Sequence, residues 1–340
     1  MKDKPAACPR LGRVGGQAVL EGVMMRSGDR TALAVRRESG EIALDAWTHV
    51  SVRKKHKILN VPILRGIVNF VETMMLSYRT LMKSADLLGL SEEDEESKAE
   101  KWMRRHLGAR FMDVLMGIAS VLGVALGLAL FLFLPAAVTS WIDRLAGGIG
   151  WWRNLIEGVL KIGIFVAYMA LVSLMKEMRR VFEYHGAEHK SIACYEAELP
   201  LTPENAKGCT RFHPRCGTSF IFVILFLSIL VNSLLTWDSL FMRVGLKVVV
   251  LPLIVGVGYE YIMYAGRHAN GLTRILSAPG LWMQRLTTRE PDEAQLAVAI
   301  AALKHAMPDE FPQAEPAAAE AEASAAEAEN AAPDAPADGE

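Results

Sequence analysis

A short polar segment near the middle of the chain, EYHGAEHK at residues 183–190, contains the residue types of a metal site. His185 and His189 are four residues apart, so on a helix both imidazoles lie on one face and can share a metal ion. Glu188 is adjacent and can hold or deprotonate a water molecule on that metal. This H-x-x-E-H order is the reverse of H-E-x-x-H and is typical of inverzincin-type metallopeptidases. The pattern therefore predicts a metal site with Glu188 as general base.

A second polar segment, HPRCGT, supplies further candidate ligands where it runs into an apolar stretch. His213 and Cys216 are side chains of the kind that binds zinc and related metals. Glu260 lies near the end of the last of four apolar stretches, which are described below as candidate membrane spans. It can bring a carboxylate to the same membrane surface as these ligands. We expect His213, together with Cys216 or Glu260, to complete the ligand set of the histidine pair. The divalent transition metal that best suits these ligands is Zn²⁺.

Other interpretations of the same residues remain open. The histidines could lie at a polar helix end and face solvent or lipid headgroups. Cys209, His213 and Cys216 could form a structural zinc site with one more ligand, and Glu260 could pair with a basic residue inside the bundle. A centre closed by four protein ligands leaves no position for water. Such a centre would favour a non-enzymatic membrane scaffold or assembly factor.

Four apolar stretches must position these residues, and each has about the 20 residues that a helix needs to cross a bilayer. They are Val114–Val138, Leu155–Met175, Thr218–Trp237 and Leu240–Tyr264. Hydrophobic residues make up 51% of the 340 residues and charged residues 22%, and the four cysteines are too few for a disulfide scaffold. These values exclude collagen-like, disordered and disulfide-rich secreted proteins. The expected fold class is an α-helical membrane protein with four transmembrane helices.

The orientation follows from the basic residues beside the spans. Sixteen lysines and arginines lie before the first span, between the second and third, and after the fourth, against three in the other two connections. The three are Arg144, Arg153 and Arg243. Both termini and the central loop should therefore be cytoplasmic. Residues 1–30 contain no secretory signal, so we expect a multi-pass membrane protein.

The N-terminal region contains patterns of both strands and helices. Thr31–Val35 and Ile42–Trp47 flank a turn and predict a hairpin, and Gln17–Met25 could supply another strand. A helical pattern follows from Pro62 to Leu88. One face of this helix is polar, and we expect its apolar stripe to pack on the hairpin rather than lie in the headgroup layer. The stripe consists of Ile63, Ile67, Phe70, Met74, Leu81 and Leu88.

We divide the chain into five parts. They are an N-terminal cytoplasmic α+β region (1–90), an acidic-then-basic linker (91–111), a four-span membrane domain (112–264) with the central loop 176–217, a C-terminal cytoplasmic helical region (265–313) and a disordered acidic tail (314–340). The tail carries eight acidic groups and no basic one. Because the whole chain has a net charge of −1, the rest of the chain carries about +7.

These observations favour a metal-dependent hydrolase that acts at the cytoplasmic surface of the lipid bilayer on a peptide or lipid-linked substrate. A transporter is a further interpretation because ionisable residues lie within the spans, but four spans could serve that role only as a homo-oligomer. We expect no nucleic-acid partner, because the basic residues follow the membrane edges and not one soluble face.

Four separated segments carry a resemblance to a known family: GGQAVLEGVMMR (15–26), HGAEHK (185–190), HPRCGTSF (213–220) and PGLWMQRLTTREP (279–291). They resemble, in order, the signatures of the bacterial DUF1385 family, or YqhQ-like proteins, and the resemblance covers about residues 12–304. It implies a protein that spans the bacterial cytoplasmic (inner) membrane, from a family catalogued as predicted metal-dependent enzymes of unknown function. Its central signatures are matched by the five residues His185, Glu188, His189, His213 and Cys216, and its opening signature by Gln17 and Glu21. Cys194 and Cys209 are not part of the motif, which favours a His/His/His-or-Cys site over a three-cysteine structural one.

Overall fold

The computed structural model describes residues 10–89, 109–234, 239–265 and 270–312. Most of these residues are helical, and the N-terminal part also contains one antiparallel sheet. The predicted disordered tail (314–340) and most of the predicted linker (91–111) lie outside the described residues.

The N-terminal sheet is a meander of four strands, each antiparallel to the next. The strands are β1 (Val14–Val19), β2 (Gly22–Ser27), β3 (Arg30–Arg36) and β4 (Ile42–Thr48). The predicted hairpin is confirmed as β3 and β4, with Gly40 at a left-handed φ of +88° in the turn. The interpretation of Gln17–Met25 as one strand is wrong, because Leu20 and Glu21 form a two-residue turn that splits it between β1 and β2.

Eleven α-helices are present in the described ranges. They are α1 (Val52–Lys55), α2 (Leu64–Leu87), α3 (Ala109–Leu128), α4 (Leu134–Leu145), α5 (Trp152–Val172), α6 (Lys176–Glu196), α7 (Pro203–Lys207), α8 (Gly217–Ser233), α9 (Leu240–Ala265), α10 (Gly271–Thr287) and α11 (Glu293–Ala306). A π-helical segment joins α3 to α4 beside Pro135, which has no backbone N–H to donate. The helix predicted from Pro62 to Leu88 is confirmed as α2.

The two faces of the sheet pack on different helices, because side chains alternate along each strand. One face, which includes Val23 and Met25, packs against α6 and α11 in a single buried core. The other face packs against Leu76 of α2. We predicted that the apolar stripe of α2 packs on the hairpin, and this is wrong for the middle of the stripe. Met74 and Leu81 are exposed, and α2 turns a different side towards the sheet.

Three helical segments are long and apolar enough to cross a membrane: Ser120–Leu145, Trp152–Val172 and Val244–Ala265. They correspond to the first, second and fourth predicted spans, so the chain has the helices of a membrane protein. The third predicted span corresponds to α8, which is apolar but only 17 residues long. Its last predicted residues, 235–237, lie outside the described residues. A fourth span is therefore not confirmed.

Three ionisable side chains within these helices, Glu157, Lys161 and Lys247, are buried in the bundle. Lys247 of α9 pairs with Glu157 of α5, and both side chains are about 5% exposed or less. Lys161 of α5 lies 3.5 Å from the hydroxyl of Ser228 on α8. These contacts join α5 to α8 and α9.

Candidate metal centre

Three side chains from two helices converge on one point. His185 and His189 lie one turn apart on α6, as their spacing predicts, with ring centroids 4.4 Å apart. Cys216 is the N-cap residue of α8, and its Sγ atom lies 3.3 Å from His185 Nε2. The potential ligand atoms of the three residues all lie within 4.8 Å of one another. The structure thus brings together three of the predicted ligands.

Both imidazoles are oriented by backbone carbonyl groups. His185 Nδ1 is 2.7 Å from the carbonyl oxygen of Thr287, and His189 Nδ1 is 2.6 Å from that of Arg211. A carbonyl oxygen only accepts hydrogen bonds, so each Nδ1 carries a proton, and in the neutral imidazole each Nε2 then has the lone pair that a metal needs. Burial also lowers the pKa of His189, which favours its neutral form. Neutral imidazoles held through Nδ1 are the usual state of metal-binding histidines.

A glycine allows the segment after α10 to reach His185. A Cβ atom on Gly186 would overlap the carbonyl oxygen of Arg289, so only glycine permits this close crossing. The Arg289 amide donates to the carbonyl oxygen of Phe182 (2.8 Å) at the same point. The crossing fixes the carbonyl group of Thr287 beside His185.

The loop that carries Arg211 is fixed by charged and polar contacts. The Arg211 guanidinium donates to the Thr288 hydroxyl (3.1 Å) and pairs with Glu290 (3.1 Å). Lys190, one residue after His189, pairs with the same carboxylate at 3.0 Å. The segment 288–290 therefore supports both histidines.

Glu188 lies in a buried position that a second glycine creates. A Cβ atom on Gly16 of β1 would lie 2.8 Å from Glu188 Cγ and 2.9 Å from its Oε1. The Oε2 atom is buried and has no hydrogen-bond partner among the described residues. Burial raises the pKa of this carboxyl to about 7, against a smaller opposite effect of His185.

His213 lies next to the cluster but faces another partner. Its ring centroid is 5.6 Å from that of His189, and its Nε2 atom is 3.5 Å from a carboxylate oxygen of Glu196. Arg215 pairs with the same carboxylate. The structure thus places His213 beside the three-residue cluster rather than among the atoms that converge.

Glu260 is not brought to the cluster. Its carboxylate forms a two-point ion pair with Arg65 and accepts a hydrogen bond from the backbone amide of Ile63 (3.2 Å). A basic partner was one of the interpretations that the sequence left open. The partner belongs to α2 and not to the transmembrane bundle.

Some residues near the site were not predicted from the sequence. Gln284 is fully buried, accepts a hydrogen bond from the amide of His213 (2.8 Å) and donates one to its carbonyl oxygen (2.7 Å). Gln284 and Thr287 both lie in the closing segment PGLWMQRLTTREP. The family resemblance of that segment is the sequence feature that could have identified them. Gln17 and Glu21 of the opening segment have structural partners: Gln17 accepts from Ser77 (2.7 Å), and Glu21 pairs with Arg180.

Comparisons with known proteins give a family but no activity. The family model described as "Protein of unknown function (DUF1385)" matches residues 61–309, which include both central segments and the closing one. The chain is 32% identical over 288 residues to "Uncharacterized protein YqhQ" of Bacillus subtilis (strain 168), covering 84% of this chain and 89% of that protein. The chain therefore belongs to the DUF1385 family. No solved structure matches it significantly. Neither description mentions a metal or an enzymatic reaction.

Proposed function

We propose that this DUF1385 protein binds a divalent transition metal, most readily Zn²⁺, through His185, His189 and Cys216. The observation that supports this most directly is the orientation of the two rings. Their Nδ1 atoms are held by carbonyl oxygens, and this leaves both Nε2 lone pairs available near the Cys216 sulfur. Two imidazoles and a thiolate suit zinc in charge and softness.

We propose further that the metal is catalytic. Three protein ligands leave one tetrahedral position for water or substrate, as in catalytic zinc sites, whereas structural sites use four. When bound, zinc would act as a Lewis acid and supply a nucleophile from water at neutral pH. The resulting reaction class is hydrolysis.

Glu188 is our candidate for the general base. It precedes the ligand His189, and its Oε2 atom has no hydrogen-bond partner in the described structure. A buried carboxylate that is not used by a structural hydrogen bond can exchange a proton with a reacting group. Glu260 is excluded from the proposed ligand set because Arg65 and Ile63 already satisfy its carboxylate.

The proposed substrate is a peptide or a lipid-linked molecule at the membrane surface. Cys216 caps α8, an apolar helix that continues away from the site. We propose that α8 and the residues after it form a fourth span. With the basic residues beside the spans, this arrangement puts both termini and the metal site on the cytoplasmic side of a bacterial inner membrane.

A closed structural site is the competing interpretation, and the position of His213 favours it. The centroid of this ring lies 5.6 Å from that of His189, and a change in side-chain rotamer would have to bring it into the fourth position. The centre would then hold the loop between α6 and α8 in place, and the protein would act as a membrane scaffold or assembly factor. The two functions differ in the number of open coordination positions.

Cobalt substitution tests the proposal. The detergent-purified protein is loaded with Co²⁺, and its visible spectrum is recorded with and without acetohydroxamate, a ligand of open metal sites. We expect a thiolate-to-cobalt band that is absent from Cys216→Ser, and d–d bands that change when acetohydroxamate binds. His213→Ala should behave like the wild type. A spectrum that does not change when acetohydroxamate is added, together with loss of cobalt in His213→Ala, would contradict a catalytic site and support the structural one.

A further inference from the structure

Helix α2 directs three of its charged side chains, Arg65, Glu72 and Lys83, towards the rest of the protein. Glu72 accepts hydrogen bonds from the Ser51 hydroxyl (2.7 Å) and the Val52 amide (2.6 Å). Lys83 pairs with Asp45 of β4, and Arg65 pairs with Glu260 of α9. The side of α2 that faces the protein is thus held by ion pairs and hydrogen bonds at three levels along its length.

The opposite side of α2 is apolar and uncovered. Its exposed residues include Val71, Met74, Met75, Tyr78, Leu81 and Met82, with Met75 54% and Tyr78 60% exposed. At 100° per residue these six positions span about a third of the helix circumference and include no charged residue. A soluble helix normally has the reverse arrangement, with its apolar stripe inside. The 24 residues of α2 extend about 36 Å, so the uncovered face is large enough to need an explanation.

The start of α2 is fixed against a candidate membrane span. A Cβ atom on Gly66 would lie 2.7 Å from Tyr259 Cβ and 2.9 Å from the carbonyl oxygen of Gly256, so the two backbones are in close contact. Tyr259 and Gly256 belong to α9, within the candidate span Val244–Ala265. Leu253 and Val257 of α9 are also exposed and border this contact by helical spacing. The apolar face of α2 therefore begins beside the second half of this candidate span, which continues to Ala265.

We propose that α2 lies on the bilayer as an interfacial helix, with its apolar face at the boundary between phospholipid headgroups and acyl chains. The layer order agrees with this position: α6 and α11 cover the far face of the sheet, and α2 is the layer that contacts a span. Exposed Lys55 precedes the helix and can interact with phospholipid phosphates. The membrane that the spans cross would thus cover the apolar face of α2. This contact would hold the sheet and the metal centre close to the lipid surface.

Photolabelling by lipids tests this proposal on the native protein. The full chain is reconstituted into phosphatidylcholine vesicles that contain a phosphatidylcholine with a diazirine near the carbonyl end of one acyl chain. After irradiation and trypsin digestion, adducts are mapped by mass spectrometry on the α2 peptide 66–79. The α11 peptide 290–304 is the control, because its apolar side chains are buried in the sheet core. We expect at least about five-fold more adducts on the α2 peptide, as for a helix buried in the interface.

Two results would overturn the proposal. One is labelling of the spans with no more adducts on residues 66–79 than on the α11 peptide. The other is efficient cross-linking between two copies through photo-methionine at Met74, Met75 or Met82 in dilute vesicles, which would identify a second copy as the occupant. Because neither arm depends on metal, the result is independent of the proposed function.

Discussion

The carbonyl oxygen of Thr287 and the Nδ1 atom of His185 are 2.7 Å apart, although 102 residues separate them in the chain. This hydrogen bond fixes the tautomer of His185 and turns its Nε2 atom towards Cys216, 3.3 Å away. The geometry of the candidate metal centre thus depends on the segment that follows α10 as much as on the histidines. The predictions below test this dependence and its consequences.

Gly186→Ala should weaken metal binding without changing a ligand. The added methyl group would displace the backbone of Arg289 and, with it, the carbonyl group of Thr287. Loss of such an orienting contact usually costs about 10- to 100-fold in metal affinity. Competition with a chromophoric chelator measures the change. The matched control is Gly208→Ala, whose nearest atom is at an ordinary 3.5 Å, and an equal loss in both variants would contradict the role of the crossing.

Gly16→Ala should destabilise the fold, whereas Gly15→Ala should not. A methyl group at Gly16 meets the Glu188 side chain at 2.8 Å, and a methyl group at Gly15 meets nothing within 4 Å. Overpacking of this kind typically costs about 1–3 kcal/mol. Thermal unfolding in detergent, with metal content recorded for each variant, makes the comparison. Equal unfolding temperatures for the two neighbours would show that Glu188 does not occupy this space.

Glu157→Gln should destabilise the helical bundle. The substitution removes the carboxylate charge that faces the buried Lys247 ammonium group, and loss of one partner of a buried ion pair typically costs about 3–5 kcal/mol. The double variant Glu157→Gln/Lys247→Met removes both charges and should recover most of this loss. Denaturant unfolding in mixed micelles measures both effects. If the double variant is less stable than the single one, the two side chains do not act as a pair.

Cys194 should react slowly with iodoacetamide at pH 8 and faster as the pH rises. Burial, together with the neighbouring Cys209, raises the pKa of its thiol to about 11. Only the thiolate reacts, so about one thiol in a thousand is reactive at pH 8, and this fraction grows about ten-fold per pH unit below the pKa. Mass spectrometry of samples alkylated at pH 8 and 9 measures the rate. A fast rate that does not change with pH would mean that the thiol is ionised.

Much of the architecture could be predicted from the local sequence pattern. Apolar length located the helices that contain the candidate spans, and strand alternation located β3 and β4. The spacing of His185 and His189 predicted their shared face on α6. The positions of His213 and Glu260 could not be predicted, because their partners, Glu196 of α6 and Arg65 of α2, lie outside the segments whose patterns located the site.

The side of α2 that faces the sheet was also not predictable from periodicity. A stripe of apolar residues is normally assigned to the protein core, but Arg65 and Lys83 of α2 pair with specific partners on α9 and β4. For a helix beside a membrane, the sequence pattern is the same for packing on the protein and for packing on lipid. Only the tertiary contacts decide between the two.

Metal content tests the central claim most directly. Protein is purified in detergent without chelators, and elemental analysis compares the wild type with His185→Ala, His189→Ala and Glu188→Gln. We predict about one zinc or similar ion per chain in the wild type and in Glu188→Gln, and its loss in both histidine variants. Circular dichroism confirms that each variant is folded. A folded wild type with no stoichiometric transition metal, including after incubation with Zn²⁺, would contradict the account.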